Sequence, residues 1–396
     1  MNKNQKNKIA IVYDVAYPFV IGGGQRRIYE IAKRLVLKNW DIDWYCLKTW
    51  DEPRNVIEVD GIKFIGIMKN INLYTNNSKR STKEALYYGI ATFFRINLDK
   101  YDLIWFGQWP YFHILFLYFK NSIFQKPFII DWWETWNNFW LEYSKIKGYI
   151  GRLIEKFIIK NIGYKIVLSK NEISNLLKIG AKSNKIFYMA DGVDIELIDS
   201  VVKDNDTKYN SDLIYVGRLS KYKQVDHLIL ATNILKNKLN NIKVVIIGSG
   251  PEENKLKKII SELKLENNIF LLNNVDSNEE VIKYLKNSKI FVNPTFKEGG
   301  QSITNIEANA CGLPLVVYKN DLGIDSEFIK DNYNGFIVNN MTFESLSDKI
   351  DFILNMESAE YDKIKISSMN FSKKFDWEII ANDYNDIFQK INQKSI

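Results

Sequence analysis

Two cations and two carboxylates in the C-terminal half of the chain are spaced to handle a diphosphate and what is attached to it. In GRLSKYK, Arg218 and Lys223 follow an apolar run that reads as a strand. A departing diphosphate needs fixed cations to take up its growing negative charge, and a strand end can hold them still; a solvent-facing basic cluster is the alternative. Further on, FKEGGQSITNIEANACGLP sets Glu298 and Glu307 on either side of the pair Gly299 and Gly300. The run KIFVNPT before it predicts a buried strand, with Glu298, Gly299, Gly300 and Gln301 in the loop. Ser302 is placed as N-cap, Ile303, Ile306 and Ala310 as the apolar stripe, and Gly312 and Pro314 as the stop. Such a helix start offers free N–H groups and a positive dipole to a phosphate. Glu307, more than one turn further in, can point to the same place.

The elements that must hold these groups alternate strand and helix. KIAIVYD ends in the loop PFVIGGGQ and is followed by a helix with Ile28, Ile31 and Leu35 on one side; DIDWYCL, FIGIM, YDLIWF, PFIID and KIVLS read as further strands. After residue 210 the same grammar restarts with DLIYVGR, KVVIIGSG, IFLL, KIFVNPT, LPLVVY and GFIV. Strands separated by helices imply parallel βαβ units. The polar stretch DSVVKDNDTKYNSD reads as a linker. At 396 residues the chain is long for one core, so two doubly wound α/β domains are predicted, over 1–198 and 199–375, with a C-terminal helix over 376–396. Ligand is expected where the carboxyl ends of strands from both domains face a shared cleft.

Composition narrows the classes further. An apolar fraction of 46% and a charged fraction of 26% describe an ordinary globular chain. The opening MNKNQKNK runs straight into IAIVY without a secretory leader, and the greasiest stretch, LIWFGQWPYFHILFLYF, is interrupted by polar residues and Pro110, so no membrane span is expected. Two distant cysteines, Cys46 and Cys311, form no metal or disulfide motif and point to a reducing compartment, the cytoplasm. No Asp-x-Asp motif sits at a strand end to hold a divalent ion, since Asp41-Ile-Asp43 begins a strand, so neither metal nor cofactor is expected. Nothing suggests nucleic acid.

Four stretches, IGGGQRRIYEIAKRL, IYVGRLSKYKQVDHLILA, VVIIGSGPEENKLKK and EGGQSITNIEANACGLPLVV, resemble in order the signatures of the retaining glycosyltransferases of family 4, over about Lys8 to Phe388. The resemblance implies the GT-B fold: two Rossmann-like domains facing a central cleft, with a C-terminal helix crossing back to the first. It implies a retaining, metal-independent hexosyl transfer from a nucleotide-diphosphate sugar to a hydroxyl of a glycan or lipid-linked glycan. By the same resemblance Glu298 meets the donor sugar, Glu307 accepts from the ribose hydroxyls, and Arg218, Lys223, Gly299, Gly300, Gln301 and Ser302 belong to the donor site. The chain departs from the family pattern in three places. Eight residues rather than seven separate Glu298 from Glu307, which puts the extra residue in the loop before Ser302. Gln224 and Asn273 stand where glycine is usual. A nucleotide-sugar epimerase of the same fold and a non-catalytic sugar-binding subunit are the alternatives.

The N-terminal half is more individual. Gly22, Gly23 and Gly24 lie between the first strand and helix, where glycine lets backbone approach a diphosphate or acceptor, with a mere tight turn as the alternative; Gly23 and Gly24 are the candidates for the donor site. Asp131 fills the place where many relatives carry a histidine near the reacting carbon; it could orient an acceptor hydroxyl, balance positive charge, or cap a helix. His113 reads as a core histidine. Trp132, Trp133, Trp136 and Trp140 could stack on sugar faces or pack a helix, and packing is expected for at least two of them. Trp377 is expected to anchor the last helix.

Charge is concentrated between Lys145 and Lys185, where ten Lys or Arg meet only Glu155 and Glu172, within a total of +7. In GYIGRLIEKFIIKNI, Arg152, Lys156 and Lys160 form a basic stripe beside Ile150, Ile154, Phe157 and Ile158. Either the helix buries its apolar face in its own domain, or the stripe meets an anionic membrane at the inner face or an anionic acceptor.

Overall fold

The computed structural model describes residues 6–69, 80–143, 145–239, 241–273, 275, 277–296, 302–319 and 327–394. The chain divides into two compact units, 1–190 with 377–396, and 191–376. The sequence-based boundaries were 198/199 and 375/376; the short helix at Ile195–Ser200 lies in the second unit.

The first unit is built from β1 (Asn7–Val12), α1 (Gly23–Leu37), β2 (Trp40–Lys48), β3 (Val56–Val59), β4 (Ile62–Lys69), α2 (Thr82–Arg95), β5 (Leu103–Gly107), α3 (Phe112–Phe124), β6 (Phe128–Trp132), α4 (Phe139–Tyr143), α5 (Lys145–Asn161), β7 (Tyr164–Val167), α6 (Lys170–Ile179) and β8 (Ile186–Tyr188). Its eight strands run in the order β3-β4-β2-β1-β5-β6-β7-β8, parallel except for the β3–β4 pair. The central strands read as unbroken apolar runs because both faces are covered; Ile9 to Val12 and Leu103 to Phe106 have no solvent exposure. The connections through α2, α3, α5 and α6 all step the same way along the sheet, and right-handed crossovers therefore put these helices on one face. The connection through α1 steps the other way.

The second unit holds α7 (Ile195–Ser200), β9 (Ser211–Val216), α8 (Val225–Lys236), β10 (Val244–Ile247), α9 (Glu253–Glu262), β11 (Ile269–Leu272), α10 (Asn278–Lys286), β12 (Ser288–Asn293), α11 (Ile303–Ala310), β13 (Leu315–Tyr318), β14 (Gly335–Val338), α12 (Phe343–Leu354) and α13 (Ser358–Ser372). Six parallel strands run β11-β10-β9-β12-β13-β14. The final helix, α14 (Trp377–Gln393), belongs to the first unit and packs on α1, with Trp377 fully buried. Among the described residues no helix is long and apolar enough to cross a membrane.

The helix α5 departs from the expected orientation. Its inward face is Gly148, Gly151, Glu155, Ile158 and Ile159, while Ile150 and Phe157, expected inside, are 53% and 38% exposed. The cause is close helix packing. A Cβ at Gly148 would lie 1.9 Å from the Trp140 carbonyl oxygen and one at Gly151 2.5 Å from the Trp140 ring, so the backbone of α5 itself faces the preceding segment.

Candidate functional site

In the second unit the loops at the carboxyl ends of β9, β10 and β12 are laced together. A Cβ at Gly248 would fall 1.9 Å from the Gly217 carbonyl oxygen and one at Gly250 2.2 Å from that of Leu219, so only glycine lets the two loops lie backbone against backbone. Leu219 N–H donates to Ser249 (2.9 Å) and Glu252 N–H to Leu219 (3.1 Å). On the other side, the Tyr222 carbonyl accepts from Thr295 Oγ1 at 3.1 Å and from Phe296 N–H at 3.2 Å. Lys223, the residue after Tyr222, is thereby fixed beside Thr295 and Phe296, just past the carboxyl end of β12. Lys223 is 8% exposed, with its ammonium 5.7 Å from the Tyr222 ring centroid, whereas Arg218 is exposed and its carbonyl accepts from Tyr215 Oη at 3.1 Å. Gln224 takes the left-handed conformation (φ 47°, ψ 41°), the geometry that makes glycine the usual residue here.

Glu298, Gly299, Gly300 and Gln301 lie outside the described residues. Past them, Ser302 is the N-cap residue of α11 in extended conformation, but its hydroxyl pairs with Thr304 Oγ1 at 2.8 Å rather than capping a helix N–H. Glu307 is 8% exposed on α11. The helix is held from behind by amides: Asn293 Nδ2 donates to Asn305 Oδ1 at 2.9 Å, and Asn334 Nδ2 to Asn309 Oδ1 at 2.7 Å. Burial pushes the nearby Cys311 thiol well above its ordinary range, with the Glu307 charge adding to the effect.

In the first unit Asp131 is an interior residue. It is the last but one residue of β6, has no solvent exposure, accepts from Tyr384 Oη at 2.5 Å through Oδ1, and faces Arg27 Nε at 3.5 Å through Oδ2. Arg27 also donates to Tyr384 Oη (2.8 Å) and to the carbonyls of Ala190 (2.5 Å) and Met189 (3.1 Å). The carboxylate thus joins α1, β6 and α14 inside the unit. Arg27 and Tyr384 escaped the sequence reading. The available signal was Arg27, a charge on the same side of the helix as Ile28, Ile31 and Leu35.

Trp132 is likewise interior: it stacks on Tyr111 (5.8 Å, 16°) and donates from Nε1 to Glu172 at 3.1 Å. Trp133 is half-buried; Gly24 lies so close that a Cβ there would sit 2.7 Å from its ring, while a Cβ at Gly23 would meet nothing within 4 Å. The loop after β6 is pinned from below. Gln108 Oε1 accepts from Trp133 N–H (2.8 Å), and Glu155 accepts from Trp136 N–H (3.0 Å), Asn137 N–H (2.8 Å) and Tyr111 Oη (2.9 Å). Burial raises the Glu155 pKa, against these hydrogen bonds. Above this support, Trp136 forms an aromatic group with Trp109 (4.7 Å) and Trp140 (4.8 Å), its Nε1 donating to Glu134 at 2.7 Å.

The basic stripe divides. Arg152 Nε donates to Asn137 Oδ1 at 3.1 Å and so serves that loop; Lys156 is half-buried; Lys160 is exposed, with its stem over Gly180. His113 is fully buried, its Nε2 3.1 Å from the Gly107 carbonyl oxygen, and desolvation lowers its pKa to about 3. Asp41 and Asp43 both pair with Lys8 (3.2 and 3.1 Å), and Asp43 is buried. Among the described residues no group of three or more His, Cys, Asp or Glu could hold a metal ion.

Two parallel-sheet Rossmann-like domains, with a last helix belonging to the first, define a GT-B fold. Residues 199–368 match the family described as glycosyl transferases group 1. The chain is 29% identical over 255 residues to an uncharacterised glycosyltransferase of Methanocaldococcus jannaschii, covering 63% of this chain and 64% of that one. It is 28% identical over 229 residues to a capsular polysaccharide biosynthesis glycosyltransferase of Staphylococcus aureus, covering 54% and 59%. The chain thus spans less than two thirds of the length of these curated relatives. Sucrose-phosphate synthase from Thermosynechococcus elongatus superposes with a TM-score of 0.79 at 16% identity, over 98% of this chain and 99% of that one.

Proposed function

We propose that this chain is a retaining, family 4 glycosyltransferase that moves a hexosyl group from a nucleotide-diphosphate sugar to a hydroxyl of a glycan or lipid-linked glycan, with no metal ion or cofactor. The carrying observation is the lacing of Tyr222 to Thr295 and Phe296, which fixes the buried Lys223 at the root of the loop leading to α11 and Glu307. The match of residues 199–368 to the group 1 family supports the same reading.

In this reading Arg218 and Lys223 bind the diphosphate. As the bond from the anomeric carbon to the diphosphate oxygen breaks, its electron pair stays with the diphosphate and the two cations stabilise the added charge. The acceptor hydroxyl forms the new bond to the anomeric carbon and its proton passes to an oxygen of the departing diphosphate. Glu307 holds the ribose hydroxyls, Glu298 the donor sugar, and the backbone at Gly23 leaves room for a ligand to come close. Trp136, with Trp109 and Glu134, offers a ring face and a carboxylate to an acceptor sugar. Two buried free cysteines suit a cytoplasmic setting.

Calorimetric titration with UDP, GDP, ADP and dTDP tests the donor half. One nucleoside diphosphate should bind the wild type, and Lys223→Ala should weaken it at least tenfold; equal affinity in the two proteins rejects the site.

A further inference from the structure

The segment after β6 is held more firmly than a connection needs. Between Trp133 and Asn137, four backbone N–H groups donate to two side chains from other parts of the chain. Gln108 Oε1 accepts from Trp133 (2.8 Å) and Glu134 (3.2 Å), while Gln108 Nε2 donates back to the Glu134 carbonyl at 2.6 Å. Glu155 accepts from Trp136 through Oε1 (3.0 Å) and from Asn137 through Oε2 (2.8 Å). Thr135 is tied through its hydroxyl to Glu172. Gln108, Glu155 and Glu172 are all buried. A surface connection ordinarily leaves its N–H groups to water, and carboxylates are buried at a cost that only well-placed donors offset. The tethers therefore serve what the segment carries.

What it carries is an indole with a charge fixed at its edge. Trp136 is half-buried, packed against Trp109, Phe139 and Trp140 with ring centroids 4.7, 5.0 and 4.8 Å away, and its Nε1 donates to Glu134 Oε1 at 2.7 Å. Glu134 is exposed. Such a pair suits a pyranose, whose apolar face lies on the indole while its hydroxyls donate to the carboxylate. Charge narrows the choice of ring. Three carboxylates, Glu134, Glu155 and Glu172, meet at this segment, against Arg152, whose Nε already donates to Asn137 Oδ1 at 3.1 Å. A sugar with its own carboxylate would set like charges together.

We propose that Glu155 is a positioning residue for acceptor recognition, fixing Trp136 and Glu134 to receive a terminal pyranose that is neutral or carries an amino group. The proposal rests on the transferase reading and deepens it, by naming the class of acceptor sugar and the buried group that sets its platform. Glu155, with no exposure, touches no sugar itself. Its third partner is Tyr111 Oη at 2.9 Å, which accepts from Gln108 Nε2 at 3.0 Å and so donates to Glu155. Three donors fit the ionised carboxylate. A glutamine in its place keeps the volume, removes the charge and turns an N–H toward one of those donors, so a tether is lost while the packing stays.

Saturation-transfer NMR of the full chain with the methyl glycosides of glucose, galactose, glucosamine and glucuronic acid tests this. At least one neutral or amino glycoside should bind the wild type, with the glucuronide about tenfold weaker. Trp136→Ala should abolish the binding, and Glu134→Gln should remove the discrimination against the glucuronide. Glu155→Gln should weaken the favoured glycoside by about fivefold with no loss of stability in urea. It should also move the indole N–H resonance of Trp136, assigned by its absence in Trp136→Phe. If Glu155→Gln does not fold, Tyr111→Phe, which withdraws one donor and keeps the ring, decides by the same resonance. No glycoside bound by the wild type, a glucuronide bound as tightly as the others, or a tether variant with wild-type affinity and an unmoved Trp136 resonance would each overturn the proposal. Calorimetric titration with nucleoside diphosphates in the same preparations separates the two sites: nucleotide binding equal in the wild type and Glu155→Gln leaves the donor site standing whatever the glycosides do, and its absence from the wild type removes the donor site instead.

Discussion

Tyr384 donates a 2.5 Å hydrogen bond to Asp131, 253 residues earlier in the chain. Through that bond the last helix is fastened to the end of β6, and Arg27 completes the junction by donating to Tyr384 and to the carbonyls of Met189 and Ala190, where the first unit's main segment ends. Asp131 therefore holds the fold together at a place where its sequence position suggests chemistry.

Asp131→Ala leaves the buried Arg27 without its carboxylate, and breaking such a pair costs about 3–5 kcal/mol. Tyr384→Phe removes hydrogen bonds while keeping the ring and should cost about 1–3 kcal/mol. Urea unfolding followed by tryptophan fluorescence measures both. If Asp131→Ala melts like the wild type but turnover collapses, Asp131 acts at the reaction centre after all.

Glu307→Ala should weaken donor binding by about 1.5–3 kcal/mol through loss of a charged hydrogen bond. Lys223→Ala should in addition lower kcat, because its charge matters most as the diphosphate leaves. Steady-state kinetics with the donor that binds would separate the two effects. Wild-type KM and kcat in both variants would mean that the donor lies elsewhere.

Gln224→Gly tests the one site where the chain keeps a side chain in left-handed backbone beside Lys223. An L residue in that conformation costs roughly 1–2 kcal/mol, partly offset by the greater unfolded-state entropy of glycine. The variant should be equal to the wild type or up to about 1 kcal/mol more stable, with Lys223 still in place. A loss of more than about 1 kcal/mol would show that the Gln224 side chain makes a contact that outweighs the strain.

His113 gives a pH dependence whose sign follows from its burial. Its pKa is lowered to about 3 by desolvation first, with Arg80 adding to the effect, against an ordinary value of 6.5. Between about pH 3 and 6.5 the unfolded chain binds a proton there and the native one does not, so this group's contribution to stability falls as the pH drops through that window. Asp14, also near Arg80, has its pKa raised to about 6 by burial and works in the opposite direction between 3.8 and 6. In the difference between wild type and His113→Phe the Asp14 contribution cancels. The variant, which keeps an aromatic ring against Tyr88 and Phe106 but leaves the Gly107 carbonyl without its donor, should be less stable at pH 7 and lose less on acidification to pH 4. Parallel stability curves over that range would contradict a buried neutral histidine.

The parallel sheets were legible because strands buried on both faces are written as plain apolar runs, from IAIV to LVVY. The strand Val56–Val59 was not, being a half-exposed antiparallel edge of only four residues, and Ile186–Tyr188 is only three residues long. Residue type together with the family resemblance singled out Lys223 and Glu307, both buried polar groups, one past the end of β9 and one within α11. The interior pairing of Asp131 was not legible, because its partners, Arg27 and Tyr384, come from distant segments that no local pattern connects. On α5 the apolar stripe leaves the inner face open between two readings, and in the fold two glycines and Glu155 occupy that face while Ile150 and Phe157 are turned outward.

The central claim is sugar transfer from a nucleotide-diphosphate donor with retention. The direct measurement is nucleoside diphosphate release from the donor that binds, with and without glycan and lipid-linked glycan acceptors, followed by NMR assignment of the anomeric configuration of the product. The account predicts release that depends on acceptor, a product with the anomeric configuration of the donor, and loss of both in Lys223→Ala. Release at the same rate without acceptor, or a product of inverted configuration, would contradict it.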